Sequence, residues 1–375
     1  NAADVDRARS DALPGRRFVE RVFSMAGFGV VVTGTLSTGS FAVGDEIVLL
    51  PGETTARIRG LEVHGDRVDK VTSGMRVAVN LQGLDKAAVR RGDTIAAGGA
   101  FFETETVDGE VLHLPYADRP LPQNAQLAFH LGTASGLATL RFVGTDHLDP
   151  GQRAFAQLFL DRPMVATGGD RFVLRGTEVL KNYGRTVGGG VVLDARPHVI
   201  RKRSRVEKVE WTRLASARIT ERIGVVADRG ARVGFDERTT RTRLGITAAE
   251  WRAGIDDLEK ARQVLPVGDG RSRFVSVRVV NELLGELEKQ LEVFHRASPV
   301  KSGESVVPLM QKLHVGSMEI MSTVLRCGVR ENRIEQIQDR VSLRGRAQES
   351  KDATLALRDT LISIYRKHCL SSPRV

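Results

Sequence analysis

Over the first hundred residues apolar and polar positions alternate in short runs. RRFVERVF, GVVVTGTL, DEIVLL, ARIRGLEVHG, MRVAVNL and DTIAAG each fit a β-strand, and no segment between them is long enough for a crossover helix. Antiparallel pairing closed into a small barrel follows, because closure removes the exposed edges. The pattern repeats after Phe101 in GEVLHL, AQLAFHLG, GLATLRFVG, QRAFAQLFLD, PMVATGGDRFVLRG and GRTVGGGVVLDARP, with Leu121-Pro122 and Pro163 marking edges or turns. A second antiparallel barrel is expected there.

After Pro197 the period becomes helical. KRSRVEKVEWTRLASARITERI has the spacing of a surface helix, and TAAEWRAGIDDLEKARQVLPV opens at Thr247 as N-cap, with Glu250 completing a capping box. RFVSVRV is strand material leading into a helix with Val280, Leu284, Leu287, Leu291 and Phe294 on one face. VGSMEIMSTVLRCGV predicts a shorter helix capped by Ser317, and IEQIQDRVSLRG a two-stranded wing. Helices followed by a hairpin, twice over, is the pattern of winged-helix domains. KDATLALRDTLISIYRKHCL, with Leu357, Leu361 and Ile364 on its stripe, reads as the start of a third. The expected division is a linker over 1–15, barrels over 16–99 and 100–199, winged helices over 200–273 and 274–346, and a truncated third over 347–375.

Composition narrows this picture. The chain has 375 residues, too many for one ordinary core, and a net charge of +10. Residues 196–243 hold fourteen Arg or Lys against six Asp or Glu, so this stretch carries +8 of that excess and points to a polyanion. Arg218, Arg222, Arg229 and Arg232 belong to it. Cys327 and Cys369 are the only cysteines and form no CxxC pair, which favours a reducing cytoplasm. No run of eighteen apolar residues predicts a membrane span.

Several chemistries are missing from the sequence. There is no Gly-x-x-x-x-Gly-Lys-Ser/Thr phosphate loop and no Asn-Lys-x-Asp motif; GVVVTGTLSTG lacks the required lysine and sits in strand context. The eight histidines include no HxxxH or HxH pair, and no nucleophile elbow occurs. No catalytic residue, metal ligand or cofactor is therefore expected in this chain.

Residues 18–47, FVERVFSMAGFGVVVTGTLSTGSFAVGDEI, with MRVAVNL and Arg91-Gly92-Asp93 further on, resemble domain 2 of translational GTPases. Gly34-Thr35-Leu36, ARIRGLEVHG and RTVGGGVVLDARP are similar to the bacterial selenocysteine-specific elongation factors, and the winged-helix repeats sharpen that likeness. The resemblance implies two antiparallel β-barrels of the domain 2/domain 3 type followed by tandem α/β winged-helix domains. It implies a cytoplasmic, monomeric protein that carries selenocysteyl-tRNA to the ribosome at a recoded UGA codon and reaches a hairpin in the selenoprotein mRNA. It also implies a chain lacking the N-terminal GTPase domain, which in the full-length protein holds GTP and Mg, and the last winged helices, which make the main hairpin contact. By motif the aminoacyl pocket falls on Glu20, Arg21 and Arg76, with His64 nearby. Glu20 departs from the family's more frequent Asp. Arg185, Thr186 and Gly188 match a segment that faces the tRNA acceptor and T-stem, and Arg201, Lys202, Arg203 and Arg205 mark the junction with the arm. The readings that rest on no resemblance are a DNA-binding winged-helix regulator and a protein-binding adaptor. Against the first, VGSMEIMSTVLRCG offers a single basic residue for base edges.

Overall fold

The computed structural model describes residues 8–25, 29–180, 184–199, 208–268, 270–299 and 301–367. The chain divides into two compact units, Asn1–Val225 with Glu237–Asp257, and Val226–Asp236 with Leu258–Val375.

The first unit begins with ten strands: β1 (Arg16–Phe18), β2 (Arg21–Met25), β3 (Gly29–Thr38), β4 (Ser40–Ala42), β5 (Glu46–Leu50), β6 (Thr54–Val63), β7 (Asp66–Val68), β8 (Lys70–Thr72), β9 (Arg76–Gln82) and β10 (Thr94–Ala97). The wall runs β1-β10-β5-β6-β9-β3, and β1–β3 pairing closes it. Alternation in β3 and β9 sends Val32, Leu36, Val77 and Val79 inward and Thr33, Thr35, Arg76 and Ala78 outward. RRFVERVF is two strands rather than one. The ladder breaks at Val19 and Glu20, whose N–H groups donate to Asp93 O and Thr33 O at 2.8 and 2.9 Å.

The second barrel holds β11 (Thr104–His113), β12 (Leu121–Pro122), β13 (Gln126–Leu131), β14 (Ala134–Phe142), β15 (His147–Leu148), β16 (Arg153–Met164), β17 (Arg171–Leu180) and β18 (Gly184–Asp194). It closes in the order β11-β16-β14-β13-β17-β18, with β12 and β15 as a separate pair. Pro163 falls in β16 beyond Leu160, where pairing with β14 has ended. GRTVGGGVV lies in β18, as its place among the strand runs implied. Its glycines are needed for packing: a Cβ at Gly188 would stand 2.5 Å from Leu112 O, one at Gly189 2.6 Å from Phe172 O, and one at Gly190 would overlap Glu110 O.

Phe18 of the first barrel packs into the core of the second. Thr133 Oγ1 donates to Val19 O at 2.7 Å, and Arg16, 2% exposed, grips Asp170 through both terminal nitrogens at 2.7 and 2.5 Å. Four helices follow: α1 (Lys208–Leu214), α2 (Ile219–Arg229), α3 (Glu237–Leu244) and α4 (Ala248–Lys260). The expected single surface helix is thus two. Ser216 Oγ takes the Arg218 N–H between them, a local bond that competes with helix continuation. Nor is it all surface, since Trp211 is fully buried and stacks on Phe155 of the second barrel, centroids 5.9 Å apart. The capping box forms: Thr247 N–H donates to Glu250 Oε2 at 2.7 Å, and Glu250 N–H to Thr247 Oγ1 at 3.2 Å. Helix α3 seats on the second barrel through Arg243, which donates to both oxygens of the fully buried Asp194 at 2.9 and 2.6 Å.

The second unit contains β19 (Phe235–Asp236), β20 (Val264–Pro266) and β21 (Arg273–Ser276), then α5 (Val277–Ala297), β22 (Glu304–Ser305), α6 (Val306–Lys312), α7 (Met318–Arg330), β23 (Ile334–Ile337), β24 (Arg340–Leu343) and α8 (Arg346–Lys367). Val280, Leu284, Leu287 and Leu291 are buried as the periodicity requires, Phe294 partly so. Ser317 caps α7 by accepting the Ile320 N–H, and β23–β24 is the wing, paired to β22. Leu357, Leu361 and Ile364 on α8 are exposed.

Candidate functional site

Strand β3 sets out one polar face on the first barrel. Arg21 of β2 lies opposite Thr33, and on the other side of β3 Thr35 lies opposite Arg76 of β9. Both arginines therefore share the outer face, about 12 Å apart at Cα from strand spacing and rise, a gap two long side chains can narrow. Arg76 Nη2 lies 2.9 Å from Glu20 Oε2, with the arginine 57% and the glutamate 25% exposed. Arg21 is exposed and pairs with no described residue. His64, at φ +55 in the tip joining β6 to β7, is exposed. Pairing of β6 with β9 stops at Glu62–Ala78, so the chain carries His64 toward the end of β9 from which Arg76 projects.

Three further residues on this face escaped the sequence reading. Phe23, 45% exposed, follows Arg21 at the side-chain repeat, while Thr33 Oγ1 and Asn80 Oδ1 are buried polar atoms without a hydrogen-bond partner among the described residues. The alternation of GVVVTGT was the available signal for Thr33.

Beneath the face lies a residue no motif marked. Arg17 stands opposite Leu36 and Ile95, both core residues, and is fully buried. Its guanidinium rests against Gly34, where a Cβ would lie 3.0 Å from Nε. Burial pulls its pKa down to about 10, with Glu20 opposing and Arg76 adding to the shift, so it is protonated at neutral pH.

On the second barrel Arg185 is exposed at the start of β18, and Thr186 sits across from Arg175. Gly188 is buried opposite Leu174 and His113, a position its packing explains. Arg171, Val173 and Arg175 alternate outward along β17, all exposed, and Arg171, Arg175 and Arg185 make no ion pair with any described residue. His130, across from Val173, is held below the ordinary imidazole value by burial and then by Arg175. The alternation in RFVLRG could have marked Arg171 and Arg175. Arg201, Lys202, Arg203 and Arg205 lie outside the described residues.

Much of the basic stretch is used internally. Besides Arg243, Arg241 pairs with Glu237, Arg218 with Glu221 and Arg232 with Glu286, while Arg222 donates to Leu244 O at 2.5 Å. Its net charge thus overstates what it offers a polyanion. The glycine-rich run of β3 does not fit a nucleotide phosphate, since it is barrel wall and a Cβ at Gly34 would stand 2.5 Å from Phe18 O. Among the described residues no three His, Cys, Asp or Glu side chains gather as a metal site, and no helix is long and apolar enough to cross a membrane.

Comparison with known proteins gives matching families for both barrels. Residues 29–96 match "Elongation factor Tu domain 2" and residues 109–199 match "Selenocysteine-specific elongation factor, beta-barrel domain", neither of them a GTPase domain. The selenocysteine-specific elongation factor of Desulfomicrobium baculatum is 31% identical over 307 residues, covering 78% of this chain and 45% of that protein. Its Haemophilus influenzae counterpart is 27% identical over 243 residues, 63% of this chain and 38% of that protein. Elongation factor 1-alpha of Pyrobaculum islandicum is 27% identical over 204 residues, 49% of this chain and 45% of that protein. The chain thus spans less than half the length of these relatives. A solved bacterial selenocysteine-specific elongation factor, 17% identical, shares the fold with a TM-score of 0.69, over 96% of this chain and 54% of its own.

Proposed function

We propose that this chain, which belongs to the selenocysteine-specific elongation factors, binds selenocysteyl-tRNA through its two barrels. The outer face of the first barrel takes the aminoacyl side chain, and Arg171, Arg175 and Arg185 of the second, which make no ion pair with any described residue, meet the tRNA backbone. The observation that carries this reading is the Glu20–Arg76 pair standing on one outer face with Arg21, which pairs with no described residue. A selenol is ionised at neutral pH, and guanidinium groups remain charged there, so Arg21 and Arg76 favour the selenolate. A serine hydroxyl gains less from that field, which gives discrimination by differential electrostatics. Glu20 orients Arg76, and its longer side chain reaches from the break between β1 and β2. Arg171, Arg175 and Arg185 add affinity that is independent of sequence and weakens with salt. In the whole protein, GTP and Mg belong to a separate GTPase domain, and the winged-helix arm extends toward the ribosome and the mRNA hairpin.

Equilibrium binding tests the proposal, with selenocysteyl-tRNA and seryl-tRNA on the same tRNA body at two salt concentrations. The parent chain is expected to prefer the selenocysteyl form, and an Arg21→Ala, Arg76→Ala variant to bind both alike. Arg171→Ala with Arg175→Ala is expected to weaken both equally and to flatten the salt dependence. Equal binding of the two charged tRNAs by the parent chain would refute the pocket.

A further inference from the structure

Arg17 is fully buried, and none of its three guanidinium nitrogens has a hydrogen-bond partner among the described residues. Its neighbour Arg16 is almost as deep but is neutralised by Asp170 at two points. Arg17 pairs with no described residue, and a buried charge left so is costly enough to call for a use. Its place in the wall supplies one. On β3, Gly34 separates Thr33, which lies opposite Arg21, from Thr35, which lies opposite Arg76. Gly34 is on the buried side of the strand, and a Cβ there would stand 3.0 Å from Arg17 Nε and 3.4 Å from Nη2. The buried guanidinium therefore backs the wall between the two outer arginines, one thickness of strand away from their face.

We propose that Arg17 is a third positive charge of the aminoacyl site, acting through the barrel wall rather than by contact. This rests on the reading of the outer face as the aminoacyl pocket. On the face itself Glu20 offsets one of the two guanidiniums, so Arg21 and Arg76 leave a single net positive charge there. Arg17 doubles it. What lies between is protein and not water, so the field is screened less than along the surface. Burial chiefly lowers the Arg17 pKa, Glu20 opposes, and Arg76 lowers it further, so charges on the two sides of the wall already feel each other. A side-chain layer stands about 5 Å from the plane of its sheet, which puts an anion on the outer face about 10 Å from the guanidinium. At that distance a unit charge shifts a binding constant roughly tenfold near a protein surface. A selenolate gains this attraction and a neutral serine hydroxyl does not, so Arg17 adds to the preference without touching the ligand.

The test uses the whole chain with Arg17→Leu, Arg17→Met and Arg17→Lys, and selenocysteyl-, cysteinyl- and seryl-tRNA on one tRNA body. Arg17→Leu, of a size the barrel core already uses, is expected to keep seryl-tRNA affinity and to lose roughly tenfold of the preference for the selenocysteyl form. Arg17→Met is expected to match it and answers the question should Arg17→Leu not fold. Arg17→Lys, which keeps a charge at the same depth, is expected to restore most of the preference. Cysteinyl-tRNA gives a readout that packing alone would not move, with seryl-tRNA as its thiol-free control. A free thiol titrates at about 8.5, and a site that favours the thiolate lowers that value in the complex. Affinity is therefore expected to begin rising with pH at the depressed pKa of the bound thiol, and Arg17→Leu to move that onset up by about one unit. If Arg17→Leu keeps both the full preference and the onset, the inner charge is not felt outside, and the inference is wrong while the pocket stands. Equal weakening of all ligands without rescue by Arg17→Lys would make the residue structural and overturn the inference as well. If the parent chain has no preference, the pocket and the inner charge's role fall together.

Discussion

Asp194→Ala is expected to unseat helix α3 from the second barrel. Both carboxylate oxygens of Asp194 accept from Arg243, and the two side chains are 0% and 8% exposed. Removing the acid leaves a guanidinium in a site closed to water, and such one-sided removal costs about 3–5 kcal/mol. An exposed pair such as Arg153–Glu110 is worth about 0–1 kcal/mol. The backbone of α3 carries the readout, because Gly168 and Ala195 both donate their N–H to Arg243 O at 3.1 Å. In amide hydrogen exchange these two sites are expected to lose protection by roughly two to nearly four orders of magnitude, the kinetic equivalent of that energy. Amides of β3 and β9, in the first barrel, serve as the unaffected reference. Asp194→Leu with Arg243→Met removes both charges and is expected to return to within about 1 kcal/mol of the parent. A double variant as unprotected as the single, or a single variant that exchanges like the parent, would refute the reasoning.

Gly190→Ala places a Cβ on Glu110 O and the Phe172 ring, and is expected to destabilise the second barrel by about 3 kcal/mol or more in denaturant unfolding. Gly44→Ala, at φ +94 with open space around it, is expected to cost about 1–2 kcal/mol from backbone strain alone. Burial works to raise the Glu250 pKa, but the Thr247 N–H and then Arg9 outweigh it and hold the carboxyl below its ordinary value. Its stabilising contribution is therefore complete above the ordinary carboxylate range and lost as pH falls through the depressed value. Glu250→Gln is expected to flatten that acid limb in thermal unfolding against pH, with parent and variant converging at the lowest pH.

What the sequence made legible were features whose partners are close along the chain. Alternation located the strands, and Thr247 with Glu250, or Ser317 with Ile320, announced caps that need only three residues of chain. The wing over 334–343 is similarly local. Long-range pairing was not legible: nothing in the stretch 196–243 says that Arg243 is committed to Asp194, or that Arg232 is taken by Glu286. Net charge counted these arginines as available for RNA. Arg17 was hidden for the opposite reason, because an arginine in a strand reads as solvent-facing and only the register with Leu36 and Ile95 turns it inward. Arg21 and Arg76 came from motif, and their common face follows from the pairing of β2 and β9 with β3.

The burial of Trp211 against Phe155 gives the molecule an optical reporter. Trp211 and Trp251 are the only tryptophans, both are buried, and both belong to helices of the first unit. Intrinsic emission therefore watches the place where the arm's first helices join the barrel, and unfolding of residues 258–375 alone would leave it unchanged. A melt followed by fluorescence and by far-ultraviolet dichroism would then yield two different curves from one sample, and the gap between them would measure how independently the second unit unfolds.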